Sequence, residues 1–253
     1  MLTFIGLDLA WSPRNMTGGA VVTGDTTGGT LTDVALLHDD AAIVDYVELQ
    51  AGDGPAIVAV DAPLQVPNTT GQRPAEAELA RVFRQYEAGA HPANRQRLAF
   101  NGVVRGEHLV AALERRGFIH KPTIAAGEPV RQVIEVFPHP AMVALFGLER
   151  TLKYKARPQR PLALRQTEWQ RYQDYLRAMG RNDPALHGQE KLLAQDVAGL
   201  RGKRLKEYED RVDALFCAYI ALYAFRWGMA RCRVFGNFTE GYIFTPVPNN
   251  LQK

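Results

Sequence analysis

Leu2–Leu9 reads Leu-Thr-Phe-Ile-Gly-Leu-Asp-Leu, an apolar run whose only polar side chains are Thr3 and Asp8. A run this short and this apolar suits a strand covered on both faces, which calls for a sheet with helices packed above and below it. Asp8 then stands near the end of a buried strand, with Phe4 and Gly6 on its own face. With 253 residues the chain has room for one large domain carrying insertions, spanning 1–253, better than for two independent ones.

The remaining segments extend that sheet. Gly18–Thr23 and Thr30–Leu37 read as strands joined by Asp25-Thr26-Thr27-Gly28-Gly29, a turn in which glycines supply positive φ. Asp39 and Asp40 are N-cap candidates for a helix running to about Leu49. Ala56–Val60 is the next buried strand, ended by Asp61-Ala62-Pro63 because proline cannot donate to a ladder. Helices are expected near 74–88, 106–116, 141–147, 162–179 and 206–227, with a strand at Gln132–Phe137 and a short closing strand at Tyr242–Phe244. The order is three strands, helix, strand, helices, strand, helices. It predicts an α/β fold with a mixed five-stranded sheet, in which a hairpin meander is extended by parallel strands and flanked by helices. Helical insertions fall at about 65–130 and 150–205.

Composition narrows the classes. Two cysteines, Cys217 and Cys232, can build neither a disulfide framework nor a four-ligand zinc site. No apolar run reaches the roughly 18 residues of a membrane helix, and the start lacks the features of a signal peptide, so no membrane partner and a cytoplasmic location are expected. Charge is segregated. Residues 1–66 hold nine acids and one basic residue, Arg14, whereas residues 150–206 hold fourteen Lys/Arg and five Asp/Glu. A basic region of this kind can attract nucleic acid, or serve only as a solvated helical surface. Trp169, Tyr172, Leu176 and Met179 recur at helical spacing and are read as core.

Three acids are hard to explain by packing. Asp8 and Asp61 end two strands, where ligands collect in open α/β sheets. Asp213 lies on the last helix, one turn from Asp210, so both face the same way. Clustered carboxylates repel unless a cation or donors compensate them, and hard ions such as Mg²⁺ or Mn²⁺ prefer oxygen ligands. Asp8, Asp61, Asp213 and Asp210 are the candidate metal ligands. Glu135, an acid inside Val133-Ile134-Glu135-Val136-Phe137, joins Asp8, Asp61 and Asp213 as a catalytic candidate; its ordinary alternative is an ion pair with an arginine such as Arg131.

Several runs in register resemble one family. Gly6-Leu7-Asp8-Leu9-Ala10-Trp11, Val60-Asp61-Ala62-Pro63-Leu64, Glu135-Val136-Phe137-Pro138-His139-Pro140, Lys153-Tyr154-Lys155, Asp210-Arg211-Val212-Asp213-Ala214-Leu215 and Glu240-Gly241-Tyr242-Ile243 are similar to domain-of-unknown-function family 429, described as predicted nucleases of ribonuclease-H-like fold. The resemblance implies a ribonuclease-H-like sheet on which Asp8, Asp61 and Asp213 converge at a metal site. It also implies pocket roles for Glu135, His139, Lys153 and Lys155, and a looser match places Arg73 and Glu76 in an Arg-x-x-acid pair. His139 between two prolines could assist catalysis or hold phosphate, although a lone histidine has many structural uses; His91 is a weaker instance.

The leading expectation is a Mg²⁺- or Mn²⁺-dependent hydrolase, a nuclease cutting phosphodiester bonds, with Lys153, Lys155, His139 and Arg73 as substrate-binding candidates. One alternative is a phosphotransferase or nucleotide-binding protein of the actin-like group, which shares this core. Leu9-Ala10-Trp11-Ser12 lacks that group's glycine and threonine. Another is a non-catalytic anion-binding module on the same fold. No Gly-x-Ser-x-Gly occurs, which argues against an α/β-hydrolase-type serine nucleophile.

Overall fold

In a computed structural model, which describes residues 1–12 and 14–252, the expected meander is formed by β1 (Leu2–Asp8), β2 (Thr17–Gly24) and β3 (Gly28–Leu37), all antiparallel neighbours. The β2–β3 turn is fastened by Asp25, whose carboxylate accepts from the backbone and hydroxyl of Thr27 at 2.7 Å each. Asp39 caps α1 (Asp40–Ala51), accepting from the Ala42 N–H at 2.8 Å. Next, β4 (Ala56–Val60) lies parallel to β1. The first insertion contains α2 (Pro74–Phe83), α3 (Arg95–Leu98), a hairpin of β5 (Ala99–Phe100) and β6 (Val103–Val104), α4 (Arg105–Glu114) and β7 (Ile119–His120). Parallel to β4 runs β8 (Arg131–Glu135), followed by α5 (Pro138–Phe146). The second insertion carries α6 (Leu162–Ala178), β9 (Ala185–His187) and α7 (Glu190–Leu193); α8 (Gly202–Trp227), β10 (Cys232–Asn237) and β11 (Gly241–Pro246) complete the order.

The sheet is mixed, as expected, but has seven strands in the order β7-β8-β4-β1-β2-β3-β9 rather than five. The five expected strands form its centre. The additions are edge strands of two and three residues contributed by the insertions, too short to leave a period in the sequence. The expected closing strand is present as β11, yet it pairs with β10 in a separate ribbon and meets the sheet only through a bridge from Phe244 to Val136. The apolar residues of β10 (Cys232, Val234 and Phe235) do not alternate, so nothing marked it as a partner. Helix α5 starts at Pro138 rather than near 141, since proline fits the first helical position.

Alternate residues of the strands feed two cores. Phe4, Ala20, Val22, Ile57, Ala59 and Ile134 pack under α8, α2, α5 and α6. Ile5, Leu7, Val21, Val58, Val60 and Val133 pack against α1 and α4. The stripe of Trp169, Tyr172 and Leu176 on α6, continued by Met179 in the turn that follows the helix, is buried, in keeping with its core reading. Cys217 and Cys232 are buried and free. By length and composition the helical stretch Gly202–Ala230 could cross a membrane, with a mean hydropathy of 1.2 over its apolar window; in this fold 83% of that window is buried.

What places α8 is the absence of two side chains. A Cβ on Gly6 would stand 1.9 Å from the Ala214 carbonyl oxygen and 2.2 Å from the Ala218 nitrogen. One on Gly18 would stand 1.9 Å from the Asp210 carbonyl oxygen. The helix therefore rests backbone-on-backbone against β1 and β2. Replacing Gly6 by Ala should cost about 3 kcal/mol or more by urea denaturation, since the obstacle is main chain that cannot rotate away. Gly89→Ala, with open space around the new methyl, should stay within about 0.5 kcal/mol of wild type.

Candidate functional site: carboxylates at the end of the sheet

Asp8 is the last residue of β1, and Asp61 follows the last residue of β4. Leu7 pairs with Val60 in this parallel ladder, and the Asp61 N–H donates to the Leu7 carbonyl at 2.9 Å. The two acids thus stand side by side at the carboxyl ends of neighbouring strands, both partly exposed. Across the other ladder Asp8 faces Gly18, the residue on which the Asp210 backbone rests. Asp210 and Asp213, one turn apart on α8, come down on the same spot, Asp213 fully buried. The close helix contact is what turns a strand-end acid into a cluster.

Counter-charge comes from two lysines. The Lys155 ammonium lies 2.7 Å from Asp213 Oδ2, and the hydroxyl of Tyr154 donates to Asp213 Oδ1 at 2.7 Å, with that of Tyr172 at 3.4 Å. Lys206 lies 2.7 Å from both Glu209 Oε1 and Asp210 Oδ1. Asp8 and Asp210 are within hydrogen-bond reach of each other, and Asp8 Oδ2 is buried with no donor among the described residues. In sequence, Tyr172 falls in the core stripe and Tyr154 only within the Lys153-Tyr154-Lys155 motif, neither with an expected site role, and Glu209 and Lys206 are not among the expected site residues. Lys206, Glu209, Asp210 and Asp213 do recur at intervals of three and four, a signal that was available.

The electrostatics follow from placement. Burial raises the Asp8 carboxyl well above the usual range; Lys155 opposes this, while Asp213 and Asp61 add to it. Burial likewise pushes Asp61 up to about 7, with Lys155 opposing and Asp213 and Glu135 reinforcing. Burial raises Asp210 and Glu209 too. It works against the Lys155 ammonium, but Asp213, Asp8 and Asp61 outweigh it and hold that lysine firmly protonated. Oxygen donors of this kind suit a hard cation. Among the described residues, however, no three His, Cys, Asp or Glu side chains already stand together as a ligand set.

Other expected site residues lie elsewhere or face inward. Glu135 pairs with Val60 in the ladder, one residue short of Asp61. Its carboxylate accepts from the Leu64 N–H at 2.8 Å and from Arg73. Arg73, only 1% exposed, spends its guanidinium on Glu76, Glu135 and the Gln65 carbonyl, leaving it no donor for a substrate. The expected partner Arg131 instead donates to the Gly52 and Gly54 carbonyls. Lys153 is salt-bridged to Glu87 at 2.6 Å. His139 meets the Thr151 hydroxyl at 3.0 Å; burial, then Lys155 and Arg157, keep its ring neutral, which suits a structural role better than a cationic grip on phosphate. A cavity of about 400 Å³ opens at the start of α2, lined by residues including Gln72, Pro74 and Glu240, and touches none of the clustered carboxylates.

A family model described as "Protein of unknown function (DUF429)" matches residues 6–237. No curated protein and no solved structure matches the chain.

Two outcomes are expected from this geometry. Arg73→Met strands Glu76 and Glu135 without their cation and should cost about 3–5 kcal/mol in denaturant titrations. Asp61 binds its proton more tightly folded than unfolded. Its contribution to stability is therefore complete below pH 4 and is lost as pH rises to about 7. In EDTA, Asp61→Asn should be more stable than wild type at pH 8, and the difference should shrink by pH 5; equal pH profiles for the two proteins would refute the assignment.

Proposed function

The chain belongs to the protein family of unknown function DUF429, and we propose that it is a divalent-metal-dependent nuclease hydrolysing phosphodiester bonds at the Asp8–Asp61–Asp213 cluster. One observation carries the reading, an imbalance of charge around the ends of β1 and β4. Asp8, Asp61, Glu209, Asp210 and Asp213 meet there with, among the described residues, only Lys155 and Lys206 opposing them, and Asp8 keeps an oxygen to which none of those residues donates. A site with surplus negative charge and hard oxygen donors favours a cation.

Topology supports the same reading. The central strands run β8-β4-β1-β2-β3, an antiparallel meander extended by two parallel strands. That order agrees with a ribonuclease-H-like sheet. Asp8, Asp61, Asp213 and Asp210 would hold Mg²⁺ or Mn²⁺, which when bound supplies an activated water and stabilises the leaving oxygen. Lys155, partly exposed at the edge of the cluster, is placed to meet a substrate phosphate, and Tyr154 and Tyr172 hold Asp213 in orientation. Arg73 and Glu135 serve as scaffold in this reading.

Calorimetric titration of the metal-free chain should give saturable Mn²⁺ binding that Asp8→Asn weakens by at least about tenfold, with the melting temperature retained. Mn²⁺-dependent cleavage of a mixed pool of labelled DNA and RNA should disappear in the same variant. Cleavage surviving Asp8→Asn, or wild type that neither binds Mn²⁺ nor cuts any member of the pool, would refute the nuclease reading.

A further inference from the structure

Beside the carboxylates lies a rim of aromatic and cationic side chains that the reaction itself does not require. Trp11, three residues beyond Asp8, is half exposed, and Phe100 at the tip of the β5–β6 hairpin is 47% exposed. These two belong to one surface. A small crevice lined by Leu9, Trp11, Ala62, Leu98 and Val104 joins the loops after β1 and β4 to the hairpin. Arg14 extends its guanidinium to 5.9 Å from the centroid of the Phe100 ring. The loop bearing Trp11 is held in place by Arg105, which pairs with Asp40 at 2.6 Å and donates to the Ala10 carbonyl at 2.7 Å.

The cations continue beyond the hairpin. Arg97, on α3, is close enough to His91 to lower its basicity, after burial and Arg157. His91 meets Arg157 at 2.8 Å. Arg157 in turn lies two residues beyond Lys155, whose ammonium reaches Asp213. Arg14, Arg97 and Arg157 have no carboxylate partner among the described residues. The rim therefore begins next to Asp8 and Asp61, passes through two exposed rings and three arginines that lack a carboxylate partner among the described residues, and returns to the cluster at Lys155.

We propose that this rim binds single-stranded nucleic acid, with Trp11 and Phe100 stacking on unpaired bases and Arg14, Arg97 and Arg157 following the phosphates. The proposal rests on the nuclease reading for its reaction, and it sharpens that reading to a class of substrate. Unpaired partners are favoured over duplex because an exposed ring can stack only on a base that is splayed out of its helix, whereas a duplex offers this rim nothing but phosphates. The arginine spacing around the carboxylates supplies the complementary charge for a backbone led across the cluster.

Fluorescence anisotropy with labelled oligothymidylate, run in EDTA so that no cleavage occurs, tests this. Wild type should bind the single strand more tightly than a duplex of equal length. Trp11→Ala and Phe100→Ala should each weaken it by about tenfold; both residues are surface-exposed, so folding should be spared. Arg97→Gln should make the slope of log affinity against log salt shallower by about 0.7. Equal or tighter duplex binding, or unchanged affinity in the Trp11→Ala/Phe100→Ala double variant, overturns the proposal. So does a double variant that changes only the oligomeric state, which would make the rim a self-association face. The two readings fail separately. A chain that binds oligothymidylate through Trp11 but never cuts loses the nuclease and keeps the platform; one that cuts and ignores Trp11 and Phe100 does the reverse.

Discussion

The contact of α8 with β1 and β2 governs the molecule's interior and its chemistry together. Because Gly6 and Gly18 carry no side chain, helix and sheet meet through main-chain atoms, closer than any ordinary ridge of side chains permits. The apolar side of α8 thereby covers Phe4, Ala20 and Val22. The same approach lowers Asp210 and Asp213 onto the end of β1. Lift the helix by the thickness of a methyl group and Asp213 would lose the geometry that Tyr154 and Lys155 share around it.

Much of this arrangement was legible in the chain itself. The first strand announced itself by continuous apolarity, and Asp8 by interrupting it at the end; Pro63 marked where β4 stops and so located Asp61. Asp210 and Asp213 could be placed on one helical face by their spacing alone. Other features depended on contacts that no local pattern records. Arg73 reaches Glu135 across 62 positions of sequence, while the nearer Arg131 turns to backbone carbonyls and the Phe118 ring. Tyr154 lay in a recognised motif, yet its hydroxyl meets Asp213 only because the second insertion folds back over α8. The edge strands β7 and β9 are too brief for any periodicity, and β10 has no alternation to betray it.

Two groups of buried charge sit close to each other and differ in kind. Around Glu135 nearly every lone pair and proton is matched: Arg73 faces both Glu76 and Glu135, and the Leu64 N–H completes the set. Such closed networks hold elements in register, here α2 against the end of β8. Around Asp8 the matching is incomplete. Carboxylates press on one another there, and the cost is visible in the raised Asp8, Asp61 and Asp210 carboxyls. The fold matches one cluster almost completely and leaves its neighbour in deficit, with the unbalanced charge at the partly exposed ends of β1 and β4.

The lysines bear on the order in which the protein assembles. Many small metal-binding domains cannot form until an ion arrives, because nothing else reconciles their ligands. Here Lys155 and Lys206 already hold Asp213 and Asp210 in their positions. If the cluster takes a divalent ion, as we propose, the sheet and its covering helix would not need that ion in order to form, since these lysines already supply counter-charge. Under that proposal, loading would follow folding rather than drive it.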